Sequence, residues 1–152
     1  MDKKGFTLTE LMVVMVIIAV GALLMVPNIG GWLPNYRLRT TTRDIVSTMR
    51  TAQMKAVSTN MEYRVSFTVN ANLTGSYVLQ RHTGGIWVDE GVSQPLPKGI
   101  TVNEITFPGK NAQFNPNSTS SIGSITLKNT RTTGHAERKI ALTASTGRIK
   151  IE

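Results

Sequence analysis

The sequence predicts an α+β fold, with a long N-terminal helix packed on an antiparallel β-sheet domain. Residues 6–26 are almost entirely apolar, and residues from about 35 to 58 carry apolar side chains at the spacings of an amphipathic helix. From Glu62 onward the apolar period changes to two, which is typical of half-buried strands. With 152 residues and no cysteine, the chain predicts one small domain plus the apolar segment, stabilised without disulfides.

The apolar segment, residues 6–26, is long enough to cross a bilayer of about 30 Å as a helix. Glu10 is its one charged residue. A carboxylate within a bilayer costs roughly 2.5 kcal/mol or more, so Glu10 is a candidate functional residue that needs a partner. Cleavage after Gly5 would create one, because the new α-amino group of Phe6 could pair with Glu10 of a neighbouring copy.

Residues 3–10 read KKGFTLTE and lead directly into the apolar segment. This stretch resembles the class III signal of type IV pilins and type II secretion pseudopilins. The resemblance implies that a prepilin peptidase cuts between Gly5 and Phe6, that the new N-terminus is methylated, and that Glu10 aids assembly into a filament. The alternative interpretation is an ordinary signal-anchor with a stray acid.

The leader, residues 1–5, contains Lys3 and Lys4, which should remain on the cytoplasmic side of the membrane. We therefore expect a single-pass protein of the inner membrane. Its C-terminal domain would lie in the periplasm, or at the cell surface within a filament. The expected partners are other pilins or pseudopilins, the prepilin peptidase and the inner membrane, with DNA as an alternative partner.

Residues 27–58 should continue the helix after a break. Pro27, the pair Gly30-Gly31 and Pro34 interrupt the helical pattern, because proline removes a backbone donor and clashes with the preceding turn. Beyond the break, one face of the helix is apolar and is expected to be buried. Its members are Leu38, Ile45, Met49, Ala52 and Ala56.

Residues 59–152 should form the periplasmic β-rich domain, with loops at 93–99 and 108–121. A hairpin is expected around Thr83-Gly84-Gly85. The predicted strands are Tyr63 to Val69, Tyr77 to Arg81, Ile86 to Asp89, Ile100 to Phe107, Ile122 to Leu127, Arg138 to Ala144 and Arg148 to Ile151.

Three further stretches are similar to the GspH/FimT-type minor pilins and pseudopilins. They are the end of the helix (37–39 and 52–56), the first strand (63–67) and the terminal strands (123–127, 138–142 and 146–150). The resemblance implies a structural or assembly subunit of a type IV pilus or type II secretion filament. We expect no enzymatic activity and no cofactor. The sequence leaves open whether a secretion system or a pilus is served.

The residues themselves also argue against an enzyme. His82 and His135 have no Cys, Asp or Glu at metal-ligand spacing, and no nucleophile motif surrounds the serines and threonines. The pair Gly84-Gly85 lacks the sequence context of a phosphate-binding loop.

The net charge is +8, and removal of the leader leaves +7 because two lysines and one aspartate are lost. Such an excess favours anionic partners, namely lipid headgroups, other filament subunits or nucleic acid, although from charge alone a basic, well-solvated surface is the favoured explanation. Some FimT-type minor pilins bind DNA through a C-terminal Gly-Arg-x-Arg motif, which here reads Gly147-Arg148-Ile149-Lys150. Lysine keeps the charge but loses the bidentate fork. The DNA-binding candidates are Arg148, Lys150, Arg138, Lys139 and Arg131.

Overall fold

The computed structural model describes residues 5–25, 29–131 and 136–152. The contacts divide the chain into two compact units, Met1–Leu33 and Pro34–Glu152. The domain boundaries expected from the sequence, at residues 5, 26 and 58, remain predictions.

Helix α1 spans Leu8–Met25. It begins after Thr7, whose side-chain hydroxyl accepts a hydrogen bond from the Glu10 backbone N–H at 3.3 Å. A threonine in this place satisfies one of the N–H groups that a helix start leaves without a partner. Most of the apolar side chains of α1 are exposed, for example Leu8 at 77%, Ile17 at 65% and Leu23 at 73%. Within the described residues, no helix meets the length and hydropathy that a membrane span requires.

Helix α2 spans Ile29–Thr59 and includes Pro34. The break expected at Gly30-Gly31 and Pro34 is therefore absent, whereas Pro27 lies outside the described residues. Proline removes one backbone hydrogen bond near the start of α2, and it costs roughly 3 kcal/mol in a helix interior. Burial of the apolar side chains farther along α2 opposes that cost.

The apolar face predicted for α2 is confirmed, because all five of its members are at most 2% exposed. Thr41 and Thr42 are buried as well. The Thr42 hydroxyl donates to the Leu38 carbonyl at 2.7 Å, so this polar side chain is satisfied within the helix. The weak intrinsic helicity of this threonine-rich stretch is thus compensated by packing.

Two antiparallel sheets cover α2. The first contains β1 (Tyr63–Val69), β2 (Gly75–Thr83), β3 (Ile86–Asp89), β4 (Gln94–Pro95) and β6 (Asn111–Phe114), in the order β3-β2-β1-β6 with β4 also pairing β2. The second contains β5 (Ile100–Ile105), β7 (Gly123–Asn129), β8 (Glu137–Thr143) and β9 (Arg148–Ile151), in the order β5-β7-β8-β9.

The two short strands β4 and β6 lie in stretches that the sequence predicted as loops. Strand β6 follows a 3₁₀ turn at Pro108–Lys110 and is only four residues long, so its alternation is too brief to stand out from the surrounding Asn and Ser. Its pairing with β1, which places Phe114 opposite Tyr63, decides its conformation. Ala112 and Phe114 are fully buried as a result.

One continuous core joins α2 to both sheets. Phe67 of β1 stacks on Phe107 with ring centroids 6.1 Å apart, which links the first sheet to the chain between β5 and β6. From the second sheet, Ile125, Leu127 and Ile140 are fully buried. The core therefore fixes both sheets and one face of α2 in a single packed unit, Pro34–Glu152.

Candidate assembly site and basic surfaces

The predicted cleavage site lies in an exposed, non-helical stretch before α1. Gly5 and Phe6 are both exposed, Phe6 at 85%, and nothing lies within 4 Å of the position of a Cβ on Gly5. A peptidase needs an extended, accessible backbone at the bond that it cuts. Gly5 and Phe6 are exposed and lie outside α1, and cleavage between them remains a prediction.

Glu10 occupies the first turn of α1 and is exposed. Thr7 and Glu10 stand in the spacing of a capping box, a local role that the sequence interpretation missed although the Thr-x-x-Glu pattern was readable. A carboxylate in the first turn also favours the helix, because the N-terminal end of the helix dipole is positive. In the described residues no hydrogen bond or ion pair engages the Glu10 carboxylate, so it is free to meet an amine from outside.

The five DNA-binding candidates do not lie on one surface. Ile140 and Leu142 of β8 are buried, so Lys139 points to the opposite face of the sheet, away from α2. Register pairs Ala141 with Lys150 and Thr143 with Arg148, which places the last two on that same outer face. Lys139, Arg148 and Lys150, all exposed, define what we call the outer basic face.

Arg138 and Arg131 are separated from the outer basic face. Arg138 follows the parity of Ile140 and lies on the α2 side of the sheet, where it lines a cavity together with Arg39 and Arg43 of α2. Arg131 lies in the loop that follows β7, with its aliphatic stem beside Gly99.

Acids partly neutralise the outer face. Lys150 forms an ion pair with Glu152 at 2.9 Å, and Lys128 forms one with Glu137 at 3.7 Å. Both pairs are solvent-exposed and are therefore weak. Among the described residues, the side chains of Arg148 and Lys139 form no ion pair, although the pKa of the nearby Glu152 is lowered by its hydrogen bond with Lys150 and also by the charge of Lys139.

Gly147 holds the start of β9 close to α2. Its φ is +58°, a conformation that side chains disfavour. A Cβ at this position would lie 2.5 Å from Nε2 of Gln53 and 2.9 Å from the backbone oxygen of Ser118. This close approach to Gln53 and Ser118 fixes where Arg148 and Lys150 leave the turn.

A polar groove of about 430 Å³ lies between α2 and the first sheet, and Asp44, Tyr77 and Glu90 are among the residues that line it. Burial, with the nearby Asp44 charge, raises the pKa of Tyr77. The hydrogen bond from Lys55 lowers the pKa of Glu90. The tyrosine thus retains its proton and the glutamate is already paired. In the part of the chain that the structure describes, no group of His, Cys, Asp and Glu could hold a metal ion.

Comparison with known proteins supplies two family matches. The prokaryotic N-terminal methylation motif matches residues 1–26, and the model of type II transport protein GspH matches residues 41–146. The chain belongs to the GspH family. Its recognition as a pilin-like protein of the GspH type is therefore confirmed. No curated protein matches this chain.

A solved structure supports the family fold. The minor pseudopilin EpsH from the type 2 secretion system of Vibrio cholerae superposes with a TM-score of 0.61 at 6% identity, covering 76% of this chain and 96% of that one. At such low identity the likeness concerns the fold alone. It confirms the predicted α+β, pilin-like architecture of a helix packed on antiparallel sheets.

Proposed function

We propose that this protein is a minor pseudopilin, a structural and assembly subunit of a type II secretion filament. The observation that carries the proposal is the combination, in one chain, of a methylation motif over residues 1–26 and a GspH match over residues 41–146. The GspH match favours a secretion system over a type IV pilus. Within this family a structural role is expected, and we assign no catalysis to the chain.

In the proposed mechanism, cleavage between Gly5 and Phe6 releases the leader and exposes an amine at Phe6. The Glu10 carboxylate of one subunit then pairs with the Phe6 amine of its neighbour. In an apolar environment an unpaired charge of either sign is costly, so the pair favours the one axial register in which both are neutralised. The exposed apolar side chains of α1 would be covered by the bilayer before assembly and by neighbouring helices afterwards.

The proposal implies that the segment 6–26 anchors the protein in the inner membrane and that the unit Pro34–Glu152 lies on the periplasmic side. The basic leader supports this orientation through the excess of positive charge that cytoplasmic flanks carry. The prepilin peptidase and other pseudopilins are the proposed partners.

Two measurements test the proposal. The intact mass of the membrane-extracted protein should correspond to a chain that begins at Phe6, with one added methyl group. In the native cells, deletion of the gene should impair export through the type II system and leave DNA uptake unchanged. A mature protein that retains residues 1–5 would refute the pseudopilin assignment.

A DNA-binding minor pilin that acts in DNA uptake is a second candidate, favoured by one observation. Lys139, Arg148 and Lys150 share the outer basic face, and Arg148 and Lys150 are about 7 Å apart along β9. That separation suits successive phosphates of an extended nucleic-acid strand. This candidate predicts the reverse of the result expected above. Deletion of the gene should impair DNA uptake and leave export through the type II system unchanged.

A further inference from the structure

Arg39 and Arg43 of α2, with Arg138 of β8, surround a cavity of about 330 Å³ that Thr42 and Ile151 complete. We call it the arginine pocket. Arg39 and Arg43 stand four residues apart and so project from the same side of the helix. Arg138 reaches the cavity from β8, where it precedes the buried Ile140 by two positions. Helix α2 and strand β8, whose arginines lie nearly one hundred residues apart in sequence, thus converge on one concavity.

No acid balances this positive charge within the described residues. Arg39, Arg43 and Arg138 are all exposed, and none of them takes part in an ion pair there. Among the residues left undescribed, the one acid is Asp2 of the leader. Like charges four residues apart destabilise a helix, so the folded chain keeps an unfavourable arrangement that a bound anion would relieve.

The three acids next to the pocket in sequence are directed elsewhere. Asp44, which follows Arg43, lines the polar groove beside Tyr77. Glu137, which precedes Arg138, pairs with Lys128 on the opposite face of the sheet. Glu152, which follows Ile151, pairs with Lys150, also on that face. These three carboxylates therefore do not neutralise the arginines of the pocket.

The chemistry of the pocket selects among anions. A guanidinium group donates two parallel hydrogen bonds to a pair of oxygens. One carboxylate offers two oxygens and satisfies one such fork, whereas a phosphate group offers more oxygens and can engage forks from several directions. The Thr42 hydroxyl is already donated to the Leu38 carbonyl, so the arginines supply the recognition. Ile151, 41% exposed, provides an apolar wall beside them.

We propose that the arginine pocket binds a single phosphate group, carried by a lipid headgroup or present as free phosphate. A small concavity with cations on several sides suits one group, while an extended polyanion needs a row of cations such as the outer basic face provides. This inference does not depend on the proposed role in secretion, since it concerns only the unit Pro34–Glu152.

The test uses the full chain in zwitterionic detergent micelles. Inorganic phosphate is titrated calorimetrically at constant ionic strength, and native mass spectrometry counts phosphatidylglycerol and phosphatidylcholine molecules that remain bound. Binding of phosphatidylglycerol in preference to phosphatidylcholine identifies a lipid headgroup as the source. Binding of inorganic phosphate alone identifies free phosphate. Binding of neither overturns the proposal.

Variants locate the site. The triple variant R39Q/R43Q/R138Q should weaken binding by at least about tenfold, because charge-assisted hydrogen bonds are lost. The control R50Q/K98Q/K110Q removes the same charge from exposed positions outside the pocket and should bind like wild type. Equal losses in the two triples would show nonspecific attraction and overturn the assignment.

Three further experiments separate the remaining alternatives. The variant R39K/R43K/R138K keeps the charge without the forks, and it should bind more weakly than wild type. The single variant R138Q, followed by circular dichroism and thermal unfolding, keeps the test valid if the triple does not fold, since it too should lose affinity. A glutamate-rich peptide that binds this pocket more tightly than phosphate would instead identify a protein carboxylate as the occupant, and the proposal would be wrong.

Discussion

The N-terminal segment and the β-rich unit differ in where they keep their apolar side chains. In α1, residues such as Leu8, Ile17 and Leu23 are 77%, 65% and 73% exposed. In Pro34–Glu152, side chains of the same kind, such as Ile45 and Ile125, are fully buried. The apolar side chains of α1 can therefore be covered only by molecules outside the chain, whereas those of Pro34–Glu152 are buried within that unit. Substitutions in α1 should alter assembly, and substitutions in the β-rich unit should alter stability or ligand binding.

The largest effect is expected from Glu10→Ala. We expect this variant to fail to enter filaments while the β-rich unit stays folded, because Glu10 belongs to the unit Met1–Leu33 and is not among the core residues. Shearing and immunoblotting of the filament fraction measures incorporation, and thermal unfolding monitored by near-UV circular dichroism measures the fold. Normal incorporation, or loss of the fold, would each contradict the assigned role.

Gly147→Ala should have the largest effect on stability among the changes considered. The new Cβ meets a backbone oxygen at 2.9 Å, and the positive φ adds strain, so a loss of about 1–3 kcal/mol is expected. Gly84→Ala is the matched control, because Gly84 has φ +59° with open space around it. Urea unfolding of both variants separates two contributions to the loss of stability. The cost of the positive φ is common to both variants, whereas the cost of the close contact applies only to Gly147→Ala. If they lose equal stability, the close approach of β9 to α2 contributes nothing.

A smaller effect is expected for DNA. The full chain in detergent should retard double-stranded DNA weakly and without sequence preference, with an affinity that falls steeply with salt, by roughly one unit of log–log slope per phosphate contact. R148Q/K150Q should weaken binding more than R39Q/R43Q, although each variant removes two charges. A larger loss in the second variant would move the DNA site to the arginine pocket. Absence of retardation at low salt would eliminate the DNA-uptake candidate.

The smallest effect concerns the ion pair between Lys55 and Glu90. The hydrogen bond from Lys55 lowers the pKa of Glu90 in the folded state. The pair therefore contributes stability above the ordinary glutamate pKa of about 4.3, and this contribution is lost as the pH falls through the lower folded pKa. Because both side chains are about one-third exposed, we expect Glu90→Gln to cost under about 1 kcal/mol at pH 7.

The control for this pair is Glu104→Gln, which removes an exposed carboxylate that has no ion pair within the described residues. Wild type and Glu104→Gln should lose stability together as the pH falls below 4, while Glu90→Gln should show a smaller decline. Unfolding midpoints measured between pH 3 and pH 7, values chosen to bracket the glutamate range, make the comparison. Parallel curves for all three proteins would mean that the pair does not affect stability.

Local chemistry along the chain determined the N-terminal helix, the buried face of α2 and most strands. An apolar run, a helical spacing and an alternation of period two each depend on a few neighbouring residues, as in Leu38 to Ala56 and in Tyr63 to Val69. The same locality made Gly5, Phe6 and Glu10 recognisable. Their roles in cleavage and assembly remain predictions.

Tertiary structure decided what depends on residues far apart in sequence. Strand β6 exists because β1 pairs with it, and α2 continues through Pro34 although proline disfavours it. Arg138 and Lys139 are adjacent in β8 and lie on opposite faces of the sheet, which strand alternation alone predicts. Only the packing of α2 on the second sheet brings Arg138 to Arg39 and Arg43. A sequence pattern predicts on which face of a helix or strand a side chain lies. The tertiary packing determines which other element that face contacts.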